Sequence, residues 1–408
     1  MKLVTAMLAG LCAWQWAGPP CGVPAAAADS VRVLLSQDAQ RIDLRAGDRL
    51  TLLLSNGEQR AVRPPISFTA VGGSIALNGE KTPADGLVVR ASSGHLALVI
   101  AAGPSSGLSV NANGVPPGSD MTTTLEVAGQ VSVLRRGKGL MIVNELDLEE
   151  YVKGVVPSEV NAAWHPEVLK AQAVAARTYA LYQRMVSAGR DYDLVAGTQD
   201  QVYRGRHGID GRIEQAVEET RGLVVTYQQA PIYAAFSSTA AGLTEDALNV
   251  WSKDLPYLKG VECPFDVNSP YYRWRASFKL ETLERNLRQQ GIAVGTIVTL
   301  APASYSRAGR VTKLRVLHSG GELYLRGEDL RRVIGYAAIP STQFDLDVIG
   351  PDVVVSGYGA GHAVGLCQWG AKELAELGYS FATILGYYYP GTELQSASLV
   401  RPPSVPGP

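Results

Sequence analysis

The sequence predicts an α+β fold, in which helices and antiparallel strands form a main domain that carries an α+β insertion and follows a β-rich region. Three observations support this prediction. Short strand-like runs separated by turn residues fill positions 30 to about 135. Helical patterns, one of them rich in alanine, begin after residue 145. Strand and helix patterns then alternate between residues 271 and 344.

The composition narrows the class of protein. A length of 408 residues predicts two or three domains. With 46% hydrophobic and 18% charged residues, the chain is too apolar and too weakly charged to be disordered. Lysine plus arginine (37) nearly equals aspartate plus glutamate (38), so the sequence has no cationic excess for binding nucleic acid.

The first 28 residues have the pattern of a secretory signal peptide. Lys2 precedes a short apolar run, and an alanine-rich cleavage site ends at Ala28. A membrane anchor is the alternative, but Gln15 and Gly18 interrupt a run already shorter than the ~20 residues that span a bilayer. We therefore expect export to the periplasm, cell wall or exterior, with no stable membrane span after cleavage.

The β-rich region is predicted at residues 29–128, and no catalytic pattern stands out in it. Its predicted strands are 31–35, 49–54, 86–90 and 96–100. Turn-forming clusters such as Ser55-Asn56-Gly57 separate them.

The main domain is predicted at residues 129–392, with the insertion at about 271–345. Two strands around residues 137–139 precede a helix over 146–156, which Pro157 is expected to end. The other helices are predicted at 166–185, 210–220, 280–290, 327–334 and 368–377. The other strands are predicted at 222–227, 231–237, 296–301, 310–318 and 322–326. Residues 393–408 form a tail that is Pro-rich from Arg401 and is expected to be disordered.

Glu159 is the first candidate for chemistry. It follows Pro157 beside apolar residues, where desolvation raises the pKa of a carboxyl group and suits it to act as a general acid. The alternative is a first-turn glutamate that complements a helix dipole, with Ser158 as the cap. Spacing alone favours this alternative.

Two polar residues interrupt the alanine-rich helix. Gln172 and Arg177 either anchor the helix to a sheet through hydrogen bonds or contact a substrate, and the pattern does not decide between these roles.

The glycine-rich stretch 357–371 lets backbone approach a ligand closely, and it contains His362 and Cys367. A His362–Cys367 nucleophile pair is disfavoured, because an exported thiol tends to oxidise when a second cysteine is available. After signal cleavage that second cysteine is Cys263, so we expect a Cys263–Cys367 disulfide. The chain has no CxxC or HExxH pattern, and no metal site or cofactor is expected.

Four ordered motifs resemble the stage II sporulation protein D / LytB family. They are NELDLEEY at 144–151, GVVPSE at 154–159, KAQAVAARTY at 170–179 and GHAVGLCQWGA at 361–371. The segments 310–311 and 325–331 also resemble the part of that family inserted into its domain. The resemblance covers roughly residues 129–392.

The resemblance implies a bacterial cell-wall protein, either a lytic transglycosylase acting on peptidoglycan glycan strands or an enhancer of a cell-wall amidase. The glutamate of the family's VPSE motif is its catalytic acid and falls on Glu159. Spacing alone favours a first-turn structural role for Glu159, and the resemblance instead favours the role of a general acid. Residues implied to bind the glycan are Gln172, Arg177, Ser238, His362 and Gln368.

One stretch departs from the family pattern. Where relatives carry H-S-x-S-G-G-H-T-E, this chain has SSTAAGLTE at 237–245. Ser237 and Leu243 replace the two histidines, so a zinc site is not expected there. The replacement keeps a non-catalytic, wall-binding role open.

Overall fold

The computed structural model describes residues 30–102 and 122–403. The predicted signal peptide and residues 404–408 of the predicted tail lie outside the described residues. Helices and antiparallel sheets together form the described chain, which confirms the predicted α+β class.

Up to residue 147, the regular secondary structure of the described chain consists of strands. They are β1 (Ser30–Arg45), β2 (Leu50–Leu54), β3 (Gln59–Val62), β4 (Ile66–Val71), β5 (Ser74–Leu77), β6 (Glu80–Lys81), β7 (Gly86–Ala102), β8 (Thr122–Arg136) and β9 (Gly139–Asp147). These strands join one sheet in the order β3-β2-β7-β8-β9-β1-β4-β5-β6.

The central strands of this sheet close on one another. β1 pairs with β9 through its first half and with β7 through its second half, where Ile42 lies opposite Ile100. Because β7 also pairs with β8, and β8 with β9, the four strands form a ring of pairings that leaves few open edges. The two strands predicted at 86–90 and 96–100 are halves of β7, which bulges at Gly94 (φ +76°) without ending.

The second part of the chain begins directly after β9. Asp147 caps the next helix by accepting hydrogen bonds from the backbone N–H groups of Glu149 and Glu150. The elements are α1 (Leu148–Glu159), α2 (Pro166–Val186), β10 (Leu194–Val195), α3 (Gly211–Glu219), β11 (Leu223–Tyr227), β12 (Ala230–Pro231), β13 (Phe236–Ser237), β14 (Gly242–Leu243), α4 (Ala247–Trp251) and β15 (Glu262–Cys263).

The segment from 273 to 358 has a hydrophobic core of its own. It contains β16 (Arg273–Lys279), α5 (Leu280–Gln289), β17 (Ile297–Tyr305), β18 (Val311–His318), β19 (Gly321–Leu325), α6 (Gly327–Ile334), β20 (Gln343–Ile349) and β21 (Asp352–Tyr358). Two three-stranded sheets, β16-β21-β20 and β17-β18-β19, enclose fully buried side chains such as Leu283, Leu314 and Val353. These side chains form a cluster separate from the main core.

The last elements return to the main core. They are β22 (Leu366–Cys367), α7 (Gln368–Glu376), α8 (Phe381–Tyr388) and β23 (Glu393–Ser396). β22 pairs in parallel with β13, and β23 pairs antiparallel with β11.

α2 lies in the middle of the main core. Its alanines, including Ala173 and Ala176, are fully buried, and they let α1, α3, α7 and α8 approach closely. The same core includes Val33 of β1 and Val131 of β8, so strands from both sides of residue 129 share it. β8 itself runs across this position, and the domain boundaries proposed from the sequence stay a prediction.

None of the helices in the described part of the chain is both long enough and apolar enough to span a membrane.

We predict that Leu314→Ala in the separate core destabilises residues 273–358 by about 2–5 kcal/mol, since it removes a fully buried side chain. Hydrogen–deuterium exchange should increase across β17–β19 and stay unchanged in α2. Leu323→Ala, at a half-buried position in β19, is the control and should have a smaller effect. Equal loss of protection in α2 would show that the two cores do not unfold separately.

Candidate active site

Glu159 is the last residue of α1, and Pro157 lies inside that helix. The expectation that Pro157 ends the helix is therefore wrong. Proline removes one backbone donor, but the helix still closes its final turn, because Val160 N–H donates to the Val156 carbonyl over 3.0 Å. The helix consequently carries Glu159 to its C-terminal end.

This position excludes the first-turn role considered for Glu159. Ser158 does not cap a following helix; its hydroxyl faces the Gly154 carbonyl within α1. A helix C-terminus carries partial negative charge, which disfavours an ionised carboxylate. The helix end therefore acts on Glu159 in the direction that favours its protonated form.

The Glu159 carboxyl group is half-buried and held at both oxygens. Val202 N–H donates to Oε1 over 3.0 Å, and the Gln368 side-chain amide lies 3.5 Å from Oε2. Burial raises the pKa of Glu159 above its usual range, against the opposing effects of these two hydrogen bonds and of the Arg204 charge. A carboxyl group with a raised pKa retains its proton at a pH where an exposed glutamate has lost it.

Gln172 and Gln368 meet beside this carboxyl group. Gln368, the first residue of α7, places its Nε2 3.4 Å from Gln172 Oε1 on α2. Gln172 is almost fully buried, and its own Nε2 has no hydrogen-bond partner among the described residues. The structure thus brings Glu159, Gln172 and Gln368 together from three helices.

Ser238 contacts the first turn of α7, which carries Gln368. Its carbonyl accepts a hydrogen bond from Trp369 N–H over 3.1 Å, and its half-buried hydroxyl contacts the Thr239 hydroxyl. The parallel pairing of β13 and β22, with Ser237 opposite Cys367, sets this arrangement.

Arg177 is not brought to Glu159. Its side chain is fully buried, and its guanidinium forms a bidentate ion pair with Glu149 at 2.7–3.1 Å. It also donates to the carbonyls of Leu223 and Val217. These contacts hold α1, α2 and the end of α3 together, which is the anchoring role considered from the sequence.

His362 also lies apart from Glu159. Its Nδ1 accepts from Val364 N–H, and its ring packs edge-on against Trp251 at 4.8 Å. It lines an open pocket of about 450 Å³ with Arg310 and Arg326, and Glu159 is not among the lining residues. Burial, reinforced by Arg331 and Arg310, lowers the pKa of His362 to about 3, so the imidazole is neutral.

The predicted Cys263–Cys367 disulfide is wrong for this structure. Both cysteines are buried free thiols, although they are close neighbours. The sulfur of Cys367 contacts Ala240 N–H and Asp266, whereas the His362 imidazole accepts a hydrogen bond from Val364 N–H. At one replaced histidine position, the Ser237 hydroxyl accepts a hydrogen bond from Ala363 N–H.

Sequence reasoning missed three residues at the site. Trp164 and Trp369 are half-buried and form an edge-to-face pair with ring centroids 5.0 Å apart. Trp164 lies in the loop after Glu159, and Trp369 follows Gln368, so this pair lies beside the carboxyl group. Arg204 is the third, since its charge acts on Glu159. Trp369 lies inside the glycine-rich motif at 361–371, where the sequence alone predicts no role for it.

Comparison with known proteins identifies relatives of this chain. The family described as Stage II sporulation protein matches residues 136–227, from the end of β8 to the end of β11. Stage II sporulation protein D of Bacillus subtilis (strain 168) is 34% identical over 300 residues, which cover 69% of this chain and 83% of that protein. The chain belongs to the stage II sporulation protein D family.

Other relatives match over similar lengths of this chain. An uncharacterised protein of Brachyspira hyodysenteriae is 31% identical over 271 residues, 66% of this chain and 72% of that protein. An amidase enhancer of Bacillus subtilis is 30% identical over 290 residues, 60% of this chain and 40% of that protein. A further family, described as Domain of unknown function (DUF8618), matches residues 249–365.

Within the stage II sporulation protein D match lie Glu159, Gln172 and Arg177, whereas Gln368 and Trp369 lie beyond both matched stretches. The candidate site of this family member is therefore completed by the returning C-terminal segment.

We predict that Glu159→Gln raises the melting temperature at neutral pH. A glutamate whose folded pKa lies above its usual value of about 4.5 adds stability below that pH, and this stability is lost as the pH rises through the folded pKa. Glutamine stays neutral at every pH, and the amides of Gln172 and Gln368 can reverse together to accommodate it.

The measurement is the melting temperature of both proteins from acid to neutral pH, and the difference should shrink below pH 4.5. Glu214→Gln, on the exposed face of α3, is the control and should leave the pH dependence unchanged. A lower melting temperature for Glu159→Gln at neutral pH would contradict the electrostatic account.

Proposed function

We propose that the chain is an exported lytic transglycosylase that cleaves peptidoglycan glycan strands to 1,6-anhydromuramyl ends, with Glu159 as both acid and base. The observation that carries this proposal is the Glu159 environment. Its carboxyl group is half-buried, has a raised pKa and is fixed by Val202 and Gln368. These are the properties of a general acid.

The reaction needs one carboxyl group. Protonated Glu159 gives its proton to the glycosidic oxygen as the bond from that oxygen to C1 of the muramic acid breaks. The resulting carboxylate then takes the proton of the sugar's own 6-hydroxyl while O6 bonds to C1, which restores the protonated enzyme. A glycosidase that uses water requires a second carboxyl group, whereas among the described residues the hydrogen-bond partners of Glu159 are Val202 N–H and the Gln368 amide.

The neighbours of Glu159 fit these steps. The positive charge of Arg204 stabilises the carboxylate that forms after the first proton transfer. The Gln368 amide can move its hydrogen bond between Glu159 and a sugar hydroxyl group, and the Gln172 amide lies behind it. The half-buried rings of Trp164 and Trp369 offer apolar faces on which the C–H face of a sugar ring can pack.

The relatives support a cell-envelope role. The names of two relatives, stage II sporulation protein D and amidase enhancer, are consistent with a role in sporulation or cell-wall remodelling. The N-terminal pattern, which lies outside the described residues, is consistent with export to that location.

A second candidate is a non-catalytic protein that binds the wall and stimulates an N-acetylmuramoyl-L-alanine amidase. The similarity to an amidase enhancer favours it. The replacement of two family histidines by Ser237 and Leu243 also fits this candidate, because it removes two imidazole side chains from the stretch that adjoins β22 through Ser237.

We predict that the mature protein releases fragments with 1,6-anhydromuramyl ends from purified glycan strands, as detected by mass spectrometry. Glu159→Gln should lower the rate by about 10²–10⁴-fold, since it removes the transferable proton. The rate of the parent should fall as the pH rises through the raised pKa of Glu159, because the acid must start protonated.

The matched control for this experiment is Glu214→Gln, which should retain full activity. The same samples are added to a cell-wall amidase and its substrate. If neither parent nor variant forms anhydro ends while both stimulate the amidase, the enzyme proposal fails and the second candidate is supported.

We also predict that Trp164→Ala and Trp369→Ala each weaken the binding of glycan strands by about 2- to 10-fold, the effect of losing ~0.5–1.5 kcal/mol of ring contact. Binding is measured in the Glu159→Gln background, in which no turnover occurs. Tyr324→Ala removes an exposed ring from β19 and is the control. Unchanged binding in both tryptophan variants would remove the ring pair from the proposed site.

A further inference from the structure

A buried cluster of two thiols and one carboxyl group lies beneath the turn that leads into α7. Cys263 ends β15, Asp266 follows three residues later, and Cys367 ends β22. One donor atom from each residue lies within 4.8 Å of the other two. All three residues are at most 1% exposed.

We propose that Cys263, Asp266 and Cys367 bind one Zn(II) ion, at a site separate from the Glu159 carboxyl group. This proposal does not depend on the proposed glycan cleavage. Two thiolates and a carboxylate are donors that Zn(II) accepts together at distances of about 2.0–2.3 Å. The mixed set favours Zn(II) over softer ions such as Cu(I), which select sulfur alone.

The hydrogen bonds of Asp266 engage one carboxylate oxygen and leave the other available to bind a cation. Its Oδ2 accepts from Ala241 N–H over 2.8 Å and lies 3.3 Å from the Cys367 sulfur. Its Oδ1 is buried and has no hydrogen-bond partner among the described residues. Native structures rarely leave a buried carboxylate oxygen unsatisfied, and a metal ion bound to it removes the cost.

Burial, together with the neighbouring Cys263 and Asp266, raises the pKa of the Cys367 thiol, and backbone donors around the sulfur oppose this effect. The Cys367 sulfur accepts a hydrogen bond from Ala240 N–H at 3.3 Å and another from Gly370 N–H in the first turn of α7. As the residue that precedes α7, Cys367 also lies at the positive end of that helix. Backbone donors and a helix N-terminus both stabilise a thiolate.

A cation at the cluster reduces its negative charge. Two thiolates, one carboxylate and Zn(II) together carry a net charge of −1. The buried guanidinium of Arg310 interacts most strongly with Glu245 and also with Cys367 and Asp266, so it offsets part of this charge. Binding releases the two thiol protons to solvent as the two zinc–sulfur bonds form.

The fourth position of a tetrahedral site has a candidate donor. The Tyr388 hydroxyl lies 3.2 Å from the Cys263 sulfur. The packing is tight, since a Cβ added at Gly370 would lie 2.6 Å from that sulfur and 2.1 Å from the tyrosine oxygen. Any side chain at position 370 of α7 would therefore collide with the Tyr388 hydroxyl and the Cys263 sulfur.

A disulfide between the two sulfurs explains the cluster less well. It would require a covalent sulfur–sulfur bond of ~2.05 Å, whereas both thiols are free in this structure. Tetrahedral zinc holds two sulfurs about 3.8 Å apart. Its formation would also need an oxidant and would remove the thiol hydrogen beside Asp266. A disulfide would also leave the buried Oδ1 of Asp266 without a hydrogen-bond partner among the described residues or a bound cation.

The zinc ion would fasten the loop at 263–266 to the junction of β22 and α7. That junction carries Gln368, whose amide contacts Glu159. We therefore assign the site a structural role, which fixes the segment that completes the candidate active site.

The test uses the full mature chain, reduced and then titrated with Co(II) followed by Zn(II). The parent should develop thiolate-to-cobalt charge-transfer absorption and tetrahedral ligand-field bands, and one equivalent of Zn(II) should abolish both. Cys263→Ser, Cys367→Ser and Asp266→Asn should each lose more Zn(II) affinity than the ~10–100-fold typical of an outer-shell partner. Glu262→Gln, an exposed neighbour of Cys263, should bind as the parent does.

A second measurement covers the case in which a variant does not fold: Zn(II) should raise the melting temperature of the reduced parent, and a chelator should reverse the rise. Absence of the thiolate–cobalt absorption in the reduced parent overturns the proposal, as does unchanged Zn(II) affinity in Asp266→Asn. Glu159→Gln keeps all three ligands and should bind Zn(II) normally. Zinc binding therefore stands or falls independently of glycan cleavage.

Discussion

The parallel pairing of β13 with β22 is the contact on which the candidate active site depends. It joins Ser237 to Cys367, which are far apart in the sequence, and so sets where α7 begins. The pairing requires close backbone approach, and the glycines before β22 permit it. A Cβ at Gly365 (φ +72°) would lie 2.2 Å from the Ala235 carbonyl oxygen, and one at Gly361 (φ +91°) would lie 2.7 Å from Ser237 Cβ. The glycine-rich motif is therefore explained by packing of the chain against itself.

The second requirement is a rigid α1. The ion pair between Glu149 and Arg177 holds the start of this helix against α2, and Gly222 N–H also donates to Glu149. Removing either partner would leave a buried charge uncompensated, which typically costs 3–5 kcal/mol. Because its first turn is fixed in this way, α1 holds Glu159 at a constant position relative to Gln368. Arg177, which the sequence offered as a substrate-binding candidate, therefore acts here by positioning another residue.

Local patterns predicted most elements but not the contacts between distant segments. The alanine-rich pattern and Pro166 predicted α2. The alternation of strand and helix patterns predicted the segment that the structure shows at 273–358. α8 was missed because its residues, FATILGYY, combine β-branched and aromatic side chains that have little intrinsic helix preference. Its helical form depends on packing against α2 and α7, which no local pattern encodes.

The same distinction applies to the site. Spacing favoured a first-turn role for Glu159, and only the family resemblance identified it as the acid. Its position at the end of α1 depends on a proline that the helix tolerates in its last turn. The spacing of Cys263 and Asp266 was readable as C-x-x-D. Their convergence with Cys367, however, follows from β22 returning to β13, which the sequence does not show.

The segment from 273 to 358 has its own core, yet it takes part in this arrangement. Arg310, the residue before β18, donates to the Ala240 carbonyl, and the Ala240 N–H donates to the Cys367 sulfur. Ser306 bonds to Glu245 on the main core, which gives the segment a second attachment there. One peptide segment at 240–241 is consequently held from the insertion and from the thiol cluster at once. A shift of the insertion would move the sulfur ligands, the start of α7 and, through Gln368, the hydrogen bond to Glu159.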